Sequence, residues 1–190
     1  NVRSRLMGIP TLIKTQTASG SGSLAFVDGA ASVVFDSTYD EYMFVLTDIH
    51  PSANTPKLYL KGSTDGGSSY GVTTTNTLFY AYQAEDDSGS GLSYDSGDDT
   101  AQATRDFALT RSSGNDNDQS CAGIVHIYSP SNTTYVKHVK YTMNDYHSSD
   151  YGNHVFGAGY WNTTSAIDAV QFLFNSGNID VGTIQMYGIA

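Results

Sequence analysis

Cysteine and basic side chains are scarce in this sequence of 190 residues, and each scarcity excludes a class of protein. The single cysteine, Cys121, excludes an internal disulfide framework. Because Cys121 begins an apolar run, we expect it to be a small buried hydrophobe. Only 9 Lys and Arg stand against 19 Asp and Glu, which gives a net charge of -10. Nucleic acids and anionic membranes are therefore poor partners, since basic side chains are what bind them.

Long hydrophobic runs and helical patterns are also missing. No stretch is long enough to span a bilayer, so we expect no membrane insertion. No segment of ordinary helix length carries an apolar stripe, and only residues 164–168 could hold one short helical turn. The length is nevertheless sufficient for one β-sandwich or barrel to bury a core without a disulfide or a metal.

What the sequence does contain is short segments rich in β-branched and aromatic residues, separated by Gly, Ser, Asn and Asp. Regular short strands between turns are typical of a sandwich or barrel. We therefore predict an all-β fold, an antiparallel β-sandwich of the jelly-roll kind. Residues 1–10 form a partly irregular N-terminal arm, and residues 11–190 form the single domain. The predicted strands are 11–17, 23–27, 32–35, 41–49, 57–63, 73–83, 104–111, 123–129, 134–144, 154–160, 169–175 and 183–189.

Alternation along two of these segments indicates how they are buried. Between residues 135 and 143, Val139, Tyr141 and Met143 alternate with polar residues, so we expect one face to lie on the core. Segment 41–49 is apolar on both faces, which favours a central position in the sheet. Residues 85–100 and 112–120 are predicted to be long polar loops that carry much of the acidic charge.

Catalytic motifs are not recognisable, and we expect the protein not to be an enzyme. Glycoside hydrolysis needs two carboxyl groups that flank one cleft, and the loops of any acidic β-domain would supply such residues. We expect no nucleophile elbow, and no His-Glu-x-x-His zinc motif is present. A polysaccharide depolymerase is therefore only a distant alternative.

The second acidic loop contains candidate calcium ligands. Asn115, Asp116 and Asp118 offer the hard oxygen ligands that calcium prefers. Their spacing does not match a calcium loop that ends in a bidentate Glu. A solvated turn closed by Asn and Asp side chains is the favoured interpretation, so no cofactor is required.

The most ligand-like segment is residues 144–161. Aromatic faces stack on the C–H groups of sugars, and short polar side chains bind the hydroxyls. The segment therefore contains a candidate glycan site. The alternative is that its aromatic residues belong to the core or to a subunit interface. The candidate ligands are Tyr146, Asp150, Tyr151, Asn153, Tyr160 and Trp161.

Several phrases occur together in a familiar order. They are LIKTQTA (12–18), FDSTYDEY (35–42), STDGGSSY (63–70), IYSPSNTT (127–134), NSGNIDVGTI (175–184) and MYGI (186–189). This set, which spans nearly the whole chain, resembles poorly characterised β-rich virion proteins of tailed marine and cyanobacterial bacteriophages. Those proteins are described as tail-fibre-like or capsid-decorating. The resemblance implies a homotrimer on the virion surface that contacts other virion proteins, and it implies no catalytic residues.

Two functional hypotheses follow. The first is a non-enzymatic structural protein of the virion surface, a decoration, fibre or tail-associated module that assembles through its β-domain. The second is a glycan-binding module for adhesion to a host surface. Assembly predicts that the aromatic residues of segment 144–161 are buried, whereas adhesion predicts that they are exposed as a platform.

Overall fold

The computed structural model of the chain describes residues 8–190. The predicted N-terminal arm, residues 1–10, lies mostly outside them, and residues 8–10 have no regular structure. The described residues form thirteen strands and no helix. They therefore contain no helix long and apolar enough to cross a membrane. The strands are β1 (Thr11–Thr17), β2 (Leu24–Val27), β3 (Glu41–Pro51), β4 (Leu58–Ser63), β5 (Thr74–Ala84), β6 (Ser90–Tyr94), β7 (Thr100–Ala103), β8 (Phe107–Ala108), β9 (Cys121–Tyr128), β10 (Lys137–His147), β11 (Tyr151–Trp161), β12 (Ala169–Phe174) and β13 (Ile179–Ile189).

The strands form two sheets of unequal size. The large sheet has the order β1-β13-β3-β9-β10-β11-β5-β6, and β7 also pairs with β5. The small sheet has the order β2-β12-β4-β8. All strand pairs are antiparallel. The predicted all-β class and antiparallel sandwich are therefore confirmed.

The connectivity is compatible with a jelly roll that has been enlarged at one end. A jelly roll joins eight strands into two sheets through two Greek keys. Here the pairs β1·β13, β2·β12, β3·β9 and β4·β8 nest the first half of the chain against the second. Strands β5 to β7 are inserted between β4 and β8, and β10 and β11 between β9 and β12. Both insertions lengthen the large sheet beyond β9, and we call these five strands the extension.

The core fills the space between the sheets, where aromatic rings from both layers meet. Phe44 on β3 lies 5.2 Å from the ring of Phe26 on β2 and 5.4 Å from that of Phe172 on β12. All three rings are fully buried. Strand β3 lies between β13 and β9, which confirms the central position predicted from its apolar residues. Truncating such a ring to alanine typically costs about 3–5 kcal/mol.

Strand β10 has the predicted alternation. Val139, Tyr141 and Met143 point into the core, while His138 and Lys140 are exposed. Cys121, on the neighbouring strand β9, is buried as predicted, with its thiol donating to the carbonyl oxygen of Ile49 over 3.4 Å. Burial raises the pKa of this thiol above its ordinary range.

Several predicted elements are wrong. Residues 32–35 form a loop, because Ala31 and Ser32 have positive φ angles of 49° and 75° that interrupt a strand. Segment 104–111 keeps only the two residues of β8, and residues 164–168 form no helical turn. The acidic segment 85–100 contains β6 and the first residue of β7, although its composition favours a loop. These strands exist because β5 offers them a ladder of backbone partners.

Candidate functional site

The ligand-like segment 144–161 is a β-hairpin. Strand β11 begins at Tyr151, three residues earlier than predicted, and pairs along its whole length with β10. Asp150 lies exposed in the connecting turn with a φ of 60°. The segment therefore cannot act as one loop that gathers its polar and aromatic side chains.

Strand alternation divides the predicted glycan ligands between the two faces of the sheet. Tyr146 and Tyr160 lie on the face that points away from the small sheet. Tyr151 and Asn153 lie on the opposite face. The structure therefore brings together only the last two of these four residues.

The prediction that Trp161 belongs to the glycan site is wrong. Its side chain is completely buried, with its ring 5.4 Å from Phe107 in an edge-to-face arrangement of 88°. A Cβ atom built at Gly62 would come within 2.5 Å of the indole, so the small sheet holds the ring closely. Trp161 is a core residue and cannot contact a glycan.

The calcium hypothesis finds no geometric support. Two hydrogen bonds between Asp116 and Gln119 close this turn. The backbone N–H of Asp116 donates to Oε1 of Gln119 over 3.1 Å, and the backbone N–H of Gln119 donates to the Asp116 carbonyl oxygen over 2.9 Å. Across residues 8–190, no group of three His, Cys, Asp or Glu side chains is arranged to hold a metal. The residues Asn115, Asp116 and Asp118 thus belong to a hydrogen-bonded turn.

A hollow of about 280 Å³ lies on the inner side of the extension, and we call it the tyrosine hollow. Strands β5 and β11 create it, because their register places Tyr82 opposite Asn153 and Tyr80 opposite Val155. The lining residues are Tyr80, Tyr82, Arg111, His147, Tyr151 and Asn153.

Aromatic rings form much of this hollow. The rings of Tyr82 and Tyr151 meet edge to face at 5.7 Å, and Tyr80 lies 6.2 Å from Tyr82. The Arg111 guanidinium carbon lies 3.5 Å above the centre of the Tyr80 ring. This cation–π contact fixes the arginine against the wall of the hollow.

Carboxylates balance the arginine charge. Nε of Arg111 lies 3.1 Å from Oδ2 of the buried Asp95. Asp145 is paired with Asn153 across the β10–β11 ladder and is fully buried. Burial raises the pKa of Asp145 to about 6, although Asn153 and the backbone of Ser112 and Arg111 act in the opposite direction. In the part of the chain that the structure describes, no donor reaches its carboxylate oxygens with good hydrogen-bond geometry.

His147 presents a hydrogen-bond donor. Its Nδ1 accepts the backbone N–H of Ser149 over 3.0 Å, so the ring proton of the neutral imidazole lies on Nε2. Burial and the nearby Arg111 charge lower the pKa of His147, which keeps the ring neutral at pH 7. The side-chain N–H group of Asn153 is buried and has no hydrogen-bond partner among residues 8–190. The hollow therefore combines tyrosine rings with the N–H group of His147.

A second candidate surface is the outer face, the side of the large sheet that points away from the small sheet. One row of directly paired residues crosses all eight strands of the main path. Phe79 and Phe156 stack within it at 5.1 Å and 13°, and Phe79, Tyr94 and Ile124 are 45%, 54% and 38% exposed. The row consists of Thr15, Gln185, Val45, Ile124, Thr142, Phe156, Phe79 and Tyr94.

The outer face carries few charged residues. The structure describes all strand residues of this face. Apart from Asp48 and Asp180 at its bulged end, they include one acidic residue, Glu41, and one basic residue, Lys140. Glu41 is hydrogen-bonded to His126 on the adjacent strand. A chain with a net charge of -10 therefore has one broad surface with almost no acidic groups.

The predicted ligands do not include four residues that line the tyrosine hollow, which are Tyr80, Tyr82, Arg111 and His147. Tyr80 and Tyr82 lie two residues apart within a correctly predicted strand, so their shared face could have been identified. Nothing in the sequence indicates that Arg111 reaches them. No family of known proteins, no curated protein and no solved structure matches the chain.

Proposed function

We propose that this protein is a non-enzymatic structural module that assembles into an oligomer through the outer face of its large sheet. The single observation that carries the proposal is the near absence of charge on that face. Interface cores are depleted of charged residues and enriched in aromatic residues and methionine. The outer face has this composition, since Phe79, Phe156 and Met43 lie on it beside threonines.

The partner that the charge distribution favours is another copy of the same chain. Two copies, each with a net charge of -10, repel one another wherever their acidic loops approach. Contact through the outer face keeps those loops apart, because the acidic residues lie mainly in turns beyond the strands. An isologous or cyclic arrangement would bury this surface without pairing like charges.

The outer face is large enough for a stable interface. Eight strands spaced about 4.8 Å apart, most of them 7 to 11 residues long, present roughly 1,000 Å². A standard interface needs about 800 Å² from each partner. No second layer within residues 8–190 covers this surface, since its strand residues are half-buried or exposed.

The wider setting that we propose is the surface of a tailed bacteriophage virion, where the assembly would contact other virion proteins as a decoration, fibre or tail-associated module. The support for this setting is the sequence resemblance given above, which also favours a trimer. A map of the intact particle tests it, because density for this domain should repeat with the virion symmetry on the outside. A domain confined to the interior would refute the setting.

Assembly is tested by placing a charge at the centre of the outer face. Ile124→Asp adds a carboxylate to an exposed position at the middle of the uncharged row. Sedimentation velocity should show an oligomer for the unmodified protein. For the variant it should show at least about a hundredfold weaker association, because like charges juxtaposed in an interface cost several kcal/mol.

The matched control is Ser68→Asp. This residue is exposed in the turn that follows β4 of the small sheet, outside the strands of the outer face. It adds the same charge but should leave the sedimentation profile unchanged. A monomeric unmodified protein at high micromolar concentration, or equal loss of assembly in both variants, would contradict the role of the outer face.

A further inference from the structure

We propose that the tyrosine hollow is a binding site for a neutral sugar, at the level of one or two pyranose rings. The site lies on the side of the sheet opposite the outer face, so it stays open when the module assembles as proposed above. It also differs from the site that the sequence suggested. It gains Tyr80, Tyr82 and Arg111 from outside the hairpin.

The first argument is the combination of rings and hydrogen-bond donors. A pyranose presents a C–H face that packs on aromatic rings and an edge of hydroxyl groups that need partners. Tyr82 and Tyr151 supply rings at an angle of 82°, which forms a corner. His147 supplies an N–H group at the same place.

The second argument is the unpartnered amide of Asn153. This side chain is 3% exposed, and its Nδ2 makes no hydrogen bond to any described residue. A buried donor without a partner costs about 1–3 kcal/mol. Nδ2 has almost no accessible surface, so a ligand hydroxyl can accept from it only when the side chain turns toward the hollow, and relief of that cost favours the turn. Among the described residues that line a wider groove of about 600 Å³ beside Tyr135, none has a buried side-chain donor without a partner.

The third argument concerns charge and excludes an acidic sugar. Arg111 is already paired with Asp95, and Asp145 adds a buried carboxyl beside Asn153. The hollow therefore has no uncompensated positive charge to offer a uronic acid. Its volume of about 280 Å³ lies at the lower end of ligand sites, which limits the occupant to a small saccharide unit.

Saturation-transfer NMR with the intact protein tests the proposal. The probes are methyl glycosides of glucose, galactose and mannose, the neutral trisaccharide maltotriose, and glucuronic acid as the charged comparison. We expect at least one neutral probe to receive saturation from the protein, with an affinity at least tenfold higher than that for glucuronic acid. Tyr151→Ala should lower that affinity at least tenfold, and its half-exposed position should leave the fold intact.

The matched control is Tyr160→Ala. It removes the same ring from the same strand but from the outer face, and it should leave binding unchanged. Absence of binding by all neutral probes would overturn the proposal. So would equal weakening by Tyr160→Ala, a dominant effect of Tyr135→Ala, or a preference for glucuronic acid. Because these readouts are independent of sedimentation, failure here leaves the assembly proposal standing, and the reverse also holds.

Discussion

Asp145 is a buried carboxyl group whose replacement should stabilise the protein. In the folded state its pKa is raised from 3.8 to about 6, with burial as the main cause. The folded state therefore holds this proton more tightly than the unfolded chain does. Stability contributed by the protonated form is fully present below pH 3.8 and is lost as the pH rises through 6.

The magnitude follows from this difference in pKa. At about 1.4 kcal/mol per pH unit, the ionised carboxylate costs the folded state roughly 3 kcal/mol above pH 6. Asp145→Asn removes the charge but keeps the shape of the side chain. At pH 7.5 we expect the free energy of unfolding of the variant to exceed that of the unmodified protein by about 1–3 kcal/mol. At pH 4 the difference should be less than about 1 kcal/mol.

Urea titration provides the assay. Trp161 is the one tryptophan in the sequence and is fully buried, so its fluorescence reports loss of the core. Both proteins are compared at equal concentration at each pH, so that other titrating groups cancel in the difference. A variant that is destabilised at pH 7.5, or that gains equally at both pH values, would refute the conclusion that Asp145 is ionised at a cost.

Two further predictions concern the core. Gly62→Ala should lower the free energy of unfolding by about 1–3 kcal/mol, because the new Cβ would meet the Trp161 indole at 2.5 Å. Gly71→Ala is the control, since no atom lies within 4 Å of its Cβ position, and urea titration should show a change below about 0.5 kcal/mol. The Cys121 thiol should react with Ellman's reagent at least ~100-fold more slowly in the native protein than in urea, because it is buried and its pKa is raised. Rapid native labelling would show that β9 is accessible.

Much of the framework could be predicted from short-range patterns. Strand β1 has the predicted bounds, and the buried face of β10 follows from alternation, because the period of a strand is local to the chain. The predictions failed in segments whose composition favours a loop although an adjacent strand pairs with them. Strand β6 contains Ser, Gly, Leu and Tyr and is fully exposed, so it forms only because β5 is adjacent.

For the candidate sites, the sequence and the tertiary structure decide different features. Given the strands, the sequence determines that Tyr151 and Tyr160 lie on opposite faces, since they are nine residues apart in one strand. The sequence cannot determine which of these two faces lies against the small sheet, because that depends on how far the small sheet extends over the large one.

The sequence by itself therefore determined the all-β class, the segments that form most strands, the burial of Cys121 and the scarcity of positive charge. Only the tertiary structure decided that Trp161 belongs to the core, that Arg111 lies over Tyr80, and that Asp145 is buried. These features depend on strands that are distant in the chain and adjacent in the sheet. Local periodicity fixes the side of a strand on which a residue lies, whereas long-range pairing decides what that side meets.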